Sequence, residues 1–179
     1  MKSEGRSAKS ESEQPVFVAL GSNLGDSVAL VRRARTRLRE LSDEPLRCSS
    51  LWQTDPVDCP PGSPPFINAV VGFSPRAGET PESLLARLQQ LEYEFGRPAK
   101  HGLNEPRPLD LDLLAFGAEQ RATSQLLLPH PRAHQRRFVL EPWAELAPSF
   151  VIPGQSETVA SLLAALGAQE TVRKVQEPV

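Results

Sequence analysis

Between Thr54 and Phe66 stand five prolines: Pro56, Pro60, Pro61, Pro64 and Pro65. Proline lacks a backbone N–H and locks φ, so neither a helix nor a central strand can run through such a stretch. Regular structure must fall on either side of it, and the two sides show the same order of elements. Upstream, Val16–Leu20 (VFVAL) is a short apolar run of strand formers, stopped by Gly21. Asp26 or Ser27 can cap a helix running to about Leu41, with Val28, Val31 and Leu38 near one face. Ser49–Thr54 then reads as a strand. Downstream, Phe66–Phe73 (FINAVVGF) reads as a strand, with Phe66, Asn68 and Val70 on one face and Ile67, Ala69, Val71 and Phe73 on the other. Thr80-Pro81 opens a helix whose Leu84, Leu88, Leu91 and Phe95 keep helical spacing until Gly96 stops it. A loop, Arg97–Arg107, leads to a strand at Leu109–Phe116. This is the split βαβ order of a ferredoxin-like α+β sandwich, a mainly antiparallel sheet with helices on one face.

The 179 residues suit one domain. Residues 1–14 hold only Met1 and Ala8 as apolar side chains, so a disordered tail is expected there, with no secretory signal. Residues 15–170 form the folded domain, which ends with a helix at about Thr158–Leu166, and 171–179 form a C-terminal tail. Lys and Arg number 20 against 22 Asp and Glu, a net charge of −2. That balance argues against a chain that coats nucleic acid or an anionic membrane. No segment approaches the roughly 20 apolar residues of a membrane helix. Cys48 and Cys59 are too few for a disulfide framework and read as thiols of a reducing cytoplasm.

The segment RPLDLDLL, from Arg107 to Leu114, carries the sharpest chemical signal. On a strand, Asp110 and Asp112 share one face while Leu109, Leu111 and Leu113 point to the core. Two adjacent carboxylates repel, and Mg2+ relieves the repulsion by taking one or two carboxylates and filling its shell with water and phosphate oxygens. An exposed acidic pair is the other reading of the same spacing. Cations flank the pair: Arg97, Lys100 and Arg107 upstream, His130, Arg132, Arg136 and Arg137 downstream. Carboxylates, a metal and several guanidinium groups are the equipment of phosphoryl transfer. His130, between two prolines, is a positioned hydrogen-bond donor. His101 and His134 stand at no metal-ligand spacing. Gly21–Gly25 lacks a phosphate-loop pattern and reads as a strand-to-helix turn. Arg32, Arg33, Arg35, Arg37 and Arg39 read as a solvated helix face. Gln89 and Glu92 lie on a different helix face from the leucine stripe. Asn68, between Phe66 and Val70, is an anomaly on an apolar strand.

At FVALGSNLGD, SSLWQTDPV, FINAVVGF, LQQLEYEFGR, PRPLDLDLLAFG and LPHPRAHQRRFVLEPWAELAP, in that order across about Val16–Pro153, the chain resembles the 6-hydroxymethyl-7,8-dihydropterin pyrophosphokinase family of folate biosynthesis. The resemblance implies a cytoplasmic, monomeric enzyme that moves the β,γ-diphosphate of ATP to the pterin hydroxymethyl group and releases AMP, with two Mg2+ ions and no nucleic-acid or membrane partner. It implies Asp110 and Asp112 as metal ligands, with Arg97 and Arg107 beside them in catalysis. It implies Thr54, Val57, Phe66, Asn68 and Phe138 as the pterin pocket, the two rings sandwiching the pterin. It implies Gln89, Glu92, Lys100, Arg107, Leu113, Leu127, His130, Pro131 and Arg136 as ATP contacts. Asp55–Pro65, and the segment that begins at Arg97 and Lys100, would be lids. The chain departs from some members at Ala99, Asn104, Pro131 and Phe66, which bears on nucleotide affinity and lid motion. A non-catalytic relative would make no AMP. An RNA-binding module would need a basic face and stacking aromatics on the sheet.

Overall fold

The computed structural model describes residues 14–56, 58–98, 105–168 and 170–176. In chain order the strands and α-helices are β1 (Val16–Ser22), α1 (Ser27–Leu38), β2 (Arg47–Cys48), β3 (Trp52–Thr54), β4 (Phe66–Phe73), α2 (Pro81–Glu94), β5 (Asp110–Phe116), β6 (Arg121–Ala122), β7 (Leu127–Leu128), α3 (Arg137–Leu146), α4 (Val159–Ala165) and β8 (Val172–Lys174). The main sheet runs β5-β1-β4-β3-β8, antiparallel throughout, with β2 also on β4. The expected α+β architecture is what forms.

Local chemistry explains the element ends. The Asp26 side chain accepts from Ala29 N at 3.1 Å, so Asp26 rather than Ser27 caps α1. Thr80 and Ser83 form a reciprocal capping box ahead of Pro81. The strand expected over Ser49–Thr54 divides in two. Ser49 Oγ accepts from Val70 N at 3.0 Å, and this side-chain bond interrupts regular backbone pairing between β2 and β3.

Helices cover both faces of the sheet, not one. Against α1 and α2 lie Val16, Val18, Leu20, Ile67, Ala69, Val71, Leu111 and Leu113. On the opposite face Phe17, Val70, Leu114 and Ala115 meet Val139, Leu140 and Trp143 of α3 and Val159 of α4. The fully buried Trp143 ring lies 5.3 Å from Phe17 and 5.7 Å from Phe150. The sequence hides α3 because Pro142 sits inside it, where proline forfeits a helix hydrogen bond; burial of Val139, Leu140 and Trp143 offsets the loss.

Val172–Lys174, within the stretch read as a tail, adds an edge strand to β3, with Val172 opposite Thr54. Glu145 of α3 ties this edge down. It accepts from Ser50 N (3.1 Å), Ser50 Oγ (2.9 Å) and Trp52 Nε1, and Lys174 Nζ lies 3.7 Å away. Burial pulls the Glu145 carboxyl upward, but these donors outweigh it and hold it below its ordinary value. Glu145→Ala is expected to lower stability by about 1 kcal/mol through the lost hydrogen bonds, measured by urea unfolding. A wild-type midpoint would refute the clamp. Residues 1–13 lie outside the described residues. Among the described residues no helix is long and apolar enough to cross a membrane.

Candidate active site

On the α3-side sheet face the second core gives way to a cavity toward the Gly21 end of β1. Along it the central strand β1 presents Phe17, then Ala19, then Gly21. Phe17 packs in the second core, Ala19 borders it, and Ala19 and Gly21 line this cavity of about 600 Å³. Gly21 pairs with Asn68 on β4 and with Asp110 on β5, and Ala19 pairs with Asp112. Adjacent strands thus bring an amide and two carboxylates together over a floor of small residues. A Cβ at Gly21 would lie 3.4 Å from Asn68 Oδ1 and 3.9 Å from Asp110 Cβ, without overlap. At Gly72, by contrast, a Cβ would press on the Phe17 ring at 3.0 Å. Gly72 is a packing glycine, whereas Gly21 keeps the cavity floor open.

At the β4 end Asn68 Nδ2 donates to Thr54 Oγ1 at 2.7 Å, which leaves Asn68 Oδ1 over Gly21. The Phe66 and Phe138 rings line this end. The Arg136 guanidinium sits 5.5 Å from the Phe138 ring centroid.

At the β5 end Arg97 Nη1 lies 2.8 Å from Asp110 Oδ1 and also contacts Glu92 Oε1; Arg107 Nη1 is 3.4 Å from Asp110 Oδ2. Burial first, and then the Asp110 charge, push Asp112 up to about 7, against the pull of Arg136, Arg97 and Arg107. An added cation would restore its charge. Glu92 is buried at 8% exposure although its spacing sets it off the leucine stripe; its Oε1 accepts from Leu111 N at 2.7 Å. Burial raises Glu92 to about 7. It braces α2 against the aspartate strand.

Burial, and then Arg136, lower His130 to about 4, so its ring is neutral at pH 7. Its Nδ1 accepts from Arg132 N at 3.2 Å, which places the ring proton on Nε2. His130 is therefore a neutral donor rather than a proton source.

A second cavity of about 490 Å³ lies on the α2 side, lined by Leu85, Gln89, Tyr93 and Pro98 among others. Arg97, Asp110 and Asp112 line both cavities. The carboxylate pair and one guanidinium thus stand at the wall between two clefts.

The profile of the 7,8-dihydro-6-hydroxymethylpterin-pyrophosphokinase (HPPK) family matches residues 17–148. The chain belongs to the HPPK family. It is 38% identical over 131 residues to 2-amino-4-hydroxy-6-hydroxymethyldihydropteridine pyrophosphokinase of Bacillus subtilis, covering 73% of this chain and 76% of that protein. Against the enzyme of that name from Synechocystis it is 37% identical, covering 82% and 73%. It is also 37% identical to a mitochondrial folate synthesis bifunctional protein of Arabidopsis thaliana, covering 83% of this chain but 26% of that one. In fold it resembles the Plasmodium falciparum HPPK-DHPS crystallised with pterin and p-hydroxybenzoate, at TM-score 0.62 and 12% identity, covering 88% of this chain and 44% of that one. Another HPPK-DHPS, in complex with substrates, gives 0.64 and 12%, covering 86% and 43%. The chain spans less than half of those two-part chains. As an HPPK it performs the pyrophosphokinase step of folate biosynthesis with ATP as co-substrate.

For an HPPK, the structure brings most of the expected residues together. Thr54, Phe66, Asn68, Phe138, His130, Pro131, Arg136 and Arg107 line the first cavity, and Gln89 and Glu92 the second. Leu113 is instead buried in the core, and Leu127 is exposed on β7; neither lines a cavity. Arg137 pairs with Glu141 at 2.8 Å, away from the site. Val57, Ala99, Lys100, His101 and Asn104 lie outside the described residues.

Sequence reasoning missed Asn23. It is buried, its Oδ1 accepts from Arg107 N at 2.9 Å, its N donates to Arg107 O at 3.2 Å, and its Nδ2 donates to Pro64 O at 3.4 Å. Asn23 thus fixes the backbone of Arg107 and ties it to the proline stretch. The available signal was a polar residue just past a buried strand, inside GSNLG. Tyr93, on the second cavity wall, was also missed.

Proposed function

We propose that this chain transfers the β,γ-diphosphate of ATP to the hydroxymethyl group of 6-hydroxymethyl-7,8-dihydropterin. The pterin takes the Phe66–Asn68 end of the first cavity, and the nucleotide reaches from the second cavity past Arg97, Asp110 and Asp112 to Arg107, His130 and Arg136 in the first. The supporting observation is the shared wall: among the described residues, those lining both clefts are Arg97, Asp110 and Asp112. A group passing from one ligand to the other must cross there. The hydroxymethyl oxygen bonds to the β-phosphorus, the bond from that phosphorus to the oxygen bridging to the α-phosphate breaks, AMP leaves, and the hydroxyl proton is released.

Asp110 and Asp112 fit Mg2+. They are hard oxygen donors on one strand face, facing Ala19 and Gly21 at the cavity floor, which suits a hard cation that takes one or two carboxylates and leaves the rest of its shell to water and phosphate. Two Mg2+ ions held there would neutralise phosphate charge and orient the transferring group. The rest is done by the chain. Arg97 and Arg107 turn from Asp110 to the phosphates, the His130 Nε2 proton donates to a phosphate oxygen, and Phe66 and Phe138 stack the pterin. Asn68 Oδ1 accepts from its polar edge. Asp55–Pro65, tied through Asn23 to Arg107, would close over the site and exclude water. The catalytic domain takes in the expected residues 15–170 and, beyond them, strand β8 to Lys174, in a cytoplasmic monomer.

Incubation with ATP, Mg2+ and the pterin should yield AMP; its absence would favour a non-catalytic relative. Phe138→Ala is expected to weaken pterin binding by roughly 1–3 kcal/mol and spare ATP, read by calorimetry. Equal loss of both ligands would contradict a stacking role. Gly21→Ala is expected to keep the wild-type unfolding midpoint, because its Cβ meets no atom closer than 3.4 Å, yet to weaken pterin binding by filling the floor. Unaltered pterin affinity in a folded Gly21→Ala protein would show that the ligand lies elsewhere.

A further inference from the structure

One group in the first cavity lies beyond the family match, which ends at residue 148. Glu170 lines that cavity, and its Oε2 is buried with no hydrogen-bond partner among the described residues. A carboxylate oxygen removed from water and met by no donor is rare in native proteins and calls for a partner. The sheet register says where it lies. Val172 of β8 pairs with Thr54 of β3, so two residues earlier Glu170 continues past Thr54 on the side of Asp55 and Pro56.

The cavity is therefore polarised along the sheet order β5-β1-β4-β3-β8. At the β5 end Arg97 and Arg107 stand with Asp110 and Asp112, two cations balancing two carboxylates. At the β3–β8 end stand Asp55 and Glu170. A ligand that carries phosphate at one end and N–H donors at the other matches this polarity. A dihydropterin ring presents a 2-amino group and N3–H side by side. Asn68 has one oxygen to offer them, because its amide nitrogen is engaged by Thr54.

We propose that Glu170 completes recognition of the pterin, its carboxylate accepting from the 2-amino and N3–H edge. The C-terminal segment thereby becomes a specificity element of the enzyme. This rests on the first cavity being the pterin subsite. A carboxylate facing two parallel N–H donors accepts both, and a site built to receive a donor discriminates against a ligand that lacks it.

The test is calorimetric binding of 6-hydroxymethyl-7,8-dihydropterin and of its 2-desamino analogue, with Mg2+ and a non-hydrolysable ATP analogue present. Wild-type protein should prefer the amino ring by on the order of tenfold. Glu170→Ala should lose on the order of tenfold in affinity for the amino ring and little for the desamino ring, so that the preference collapses. Glu170→Gln, which keeps one acceptor, should fall between. An unchanged preference in Glu170→Ala would overturn the proposal, and so would equal loss for both rings, which is the mark of a purely structural role. Wild-type protein that binds neither ring would instead overturn the assignment of the cavity, and the role of Glu170 with it.

Discussion

Asp112→Asn is expected to abolish diphosphate transfer and, at the same time, to make the ligand-free protein more stable at pH 8. Asparagine keeps the shape of the side chain but supplies no anionic oxygen. Losing a hard metal ligand costs several kcal/mol of transition-state stabilisation, on the order of 10³-fold in turnover or more. The stability gain follows from where Asp112 sits. Burial and Asp110 push it up to about 7, whereas an unfolded aspartate titrates near about 3.9. Between those values the folded chain binds the proton more tightly, so the favourable contribution is complete below about 4 and is lost as pH rises through about 7. Above that, the folded protein carries a half-buried, repelled charge that Asn removes. Thermal unfolding without metal should show the variant above wild type at pH 8, with the gap closing toward pH 4. His130 works in the opposite sense: lowered to about 4, it erodes stability as pH falls below about 6.5, but equally in both proteins. A variant that still turns over, or that melts below wild type at pH 8, would remove Asp112 from the metal site.

Arg107→Lys is expected to slow the chemical step on the order of 10²-fold while changing affinity for a non-hydrolysable ATP analogue only a few-fold. Asn23 holds both the N–H and the C=O of Arg107, so the guanidinium is aimed from a fixed backbone. As the diphosphate moves, charge grows on the bridging oxygen of the departing AMP. A planar fork in a fixed place serves that charge more than it serves bound ATP. Lysine keeps the charge and loses the fork. Arg33→Lys and Arg37→Lys on α1 should do neither, since Arg33 lies over the Phe95 ring and Arg37 pairs with Glu94 and Glu40. Single-turnover kinetics at saturating ATP decide the matter. An unaltered chemical step would reduce Arg107 to a bulk neutraliser of charge.

What could be read in advance was periodic or terminal. Phe66–Phe73 forms over the expected residues, with Ile67, Ala69, Val71 and Phe73 in one core and Val70 in the other, as strand alternation requires. Thr80-Pro81 opens α2 as capping chemistry requires. Asp110 and Asp112 share a face because strand periodicity is two. α3 was hidden, because its propensity is spoiled by Pro142 and only burial against Phe17 and Val70 offsets the loss.

By itself, then, the sequence determined the strand and helix order, the two core-facing leucine and valine patterns, the aspartate pair with its arginines, and the family, because each is local or is a linear string. Tertiary structure alone decided the rest. It set Gly21 between Asn68 and Asp110, hid Glu92 beneath the aspartate strand, joined Asn23 to Arg107 across 84 residues, and brought Glu170 to the far end of the cavity. These are contacts between residues far apart in the chain. No periodicity or propensity encodes them, since they exist only once the sheet order has placed β5, β1, β4, β3 and β8 side by side.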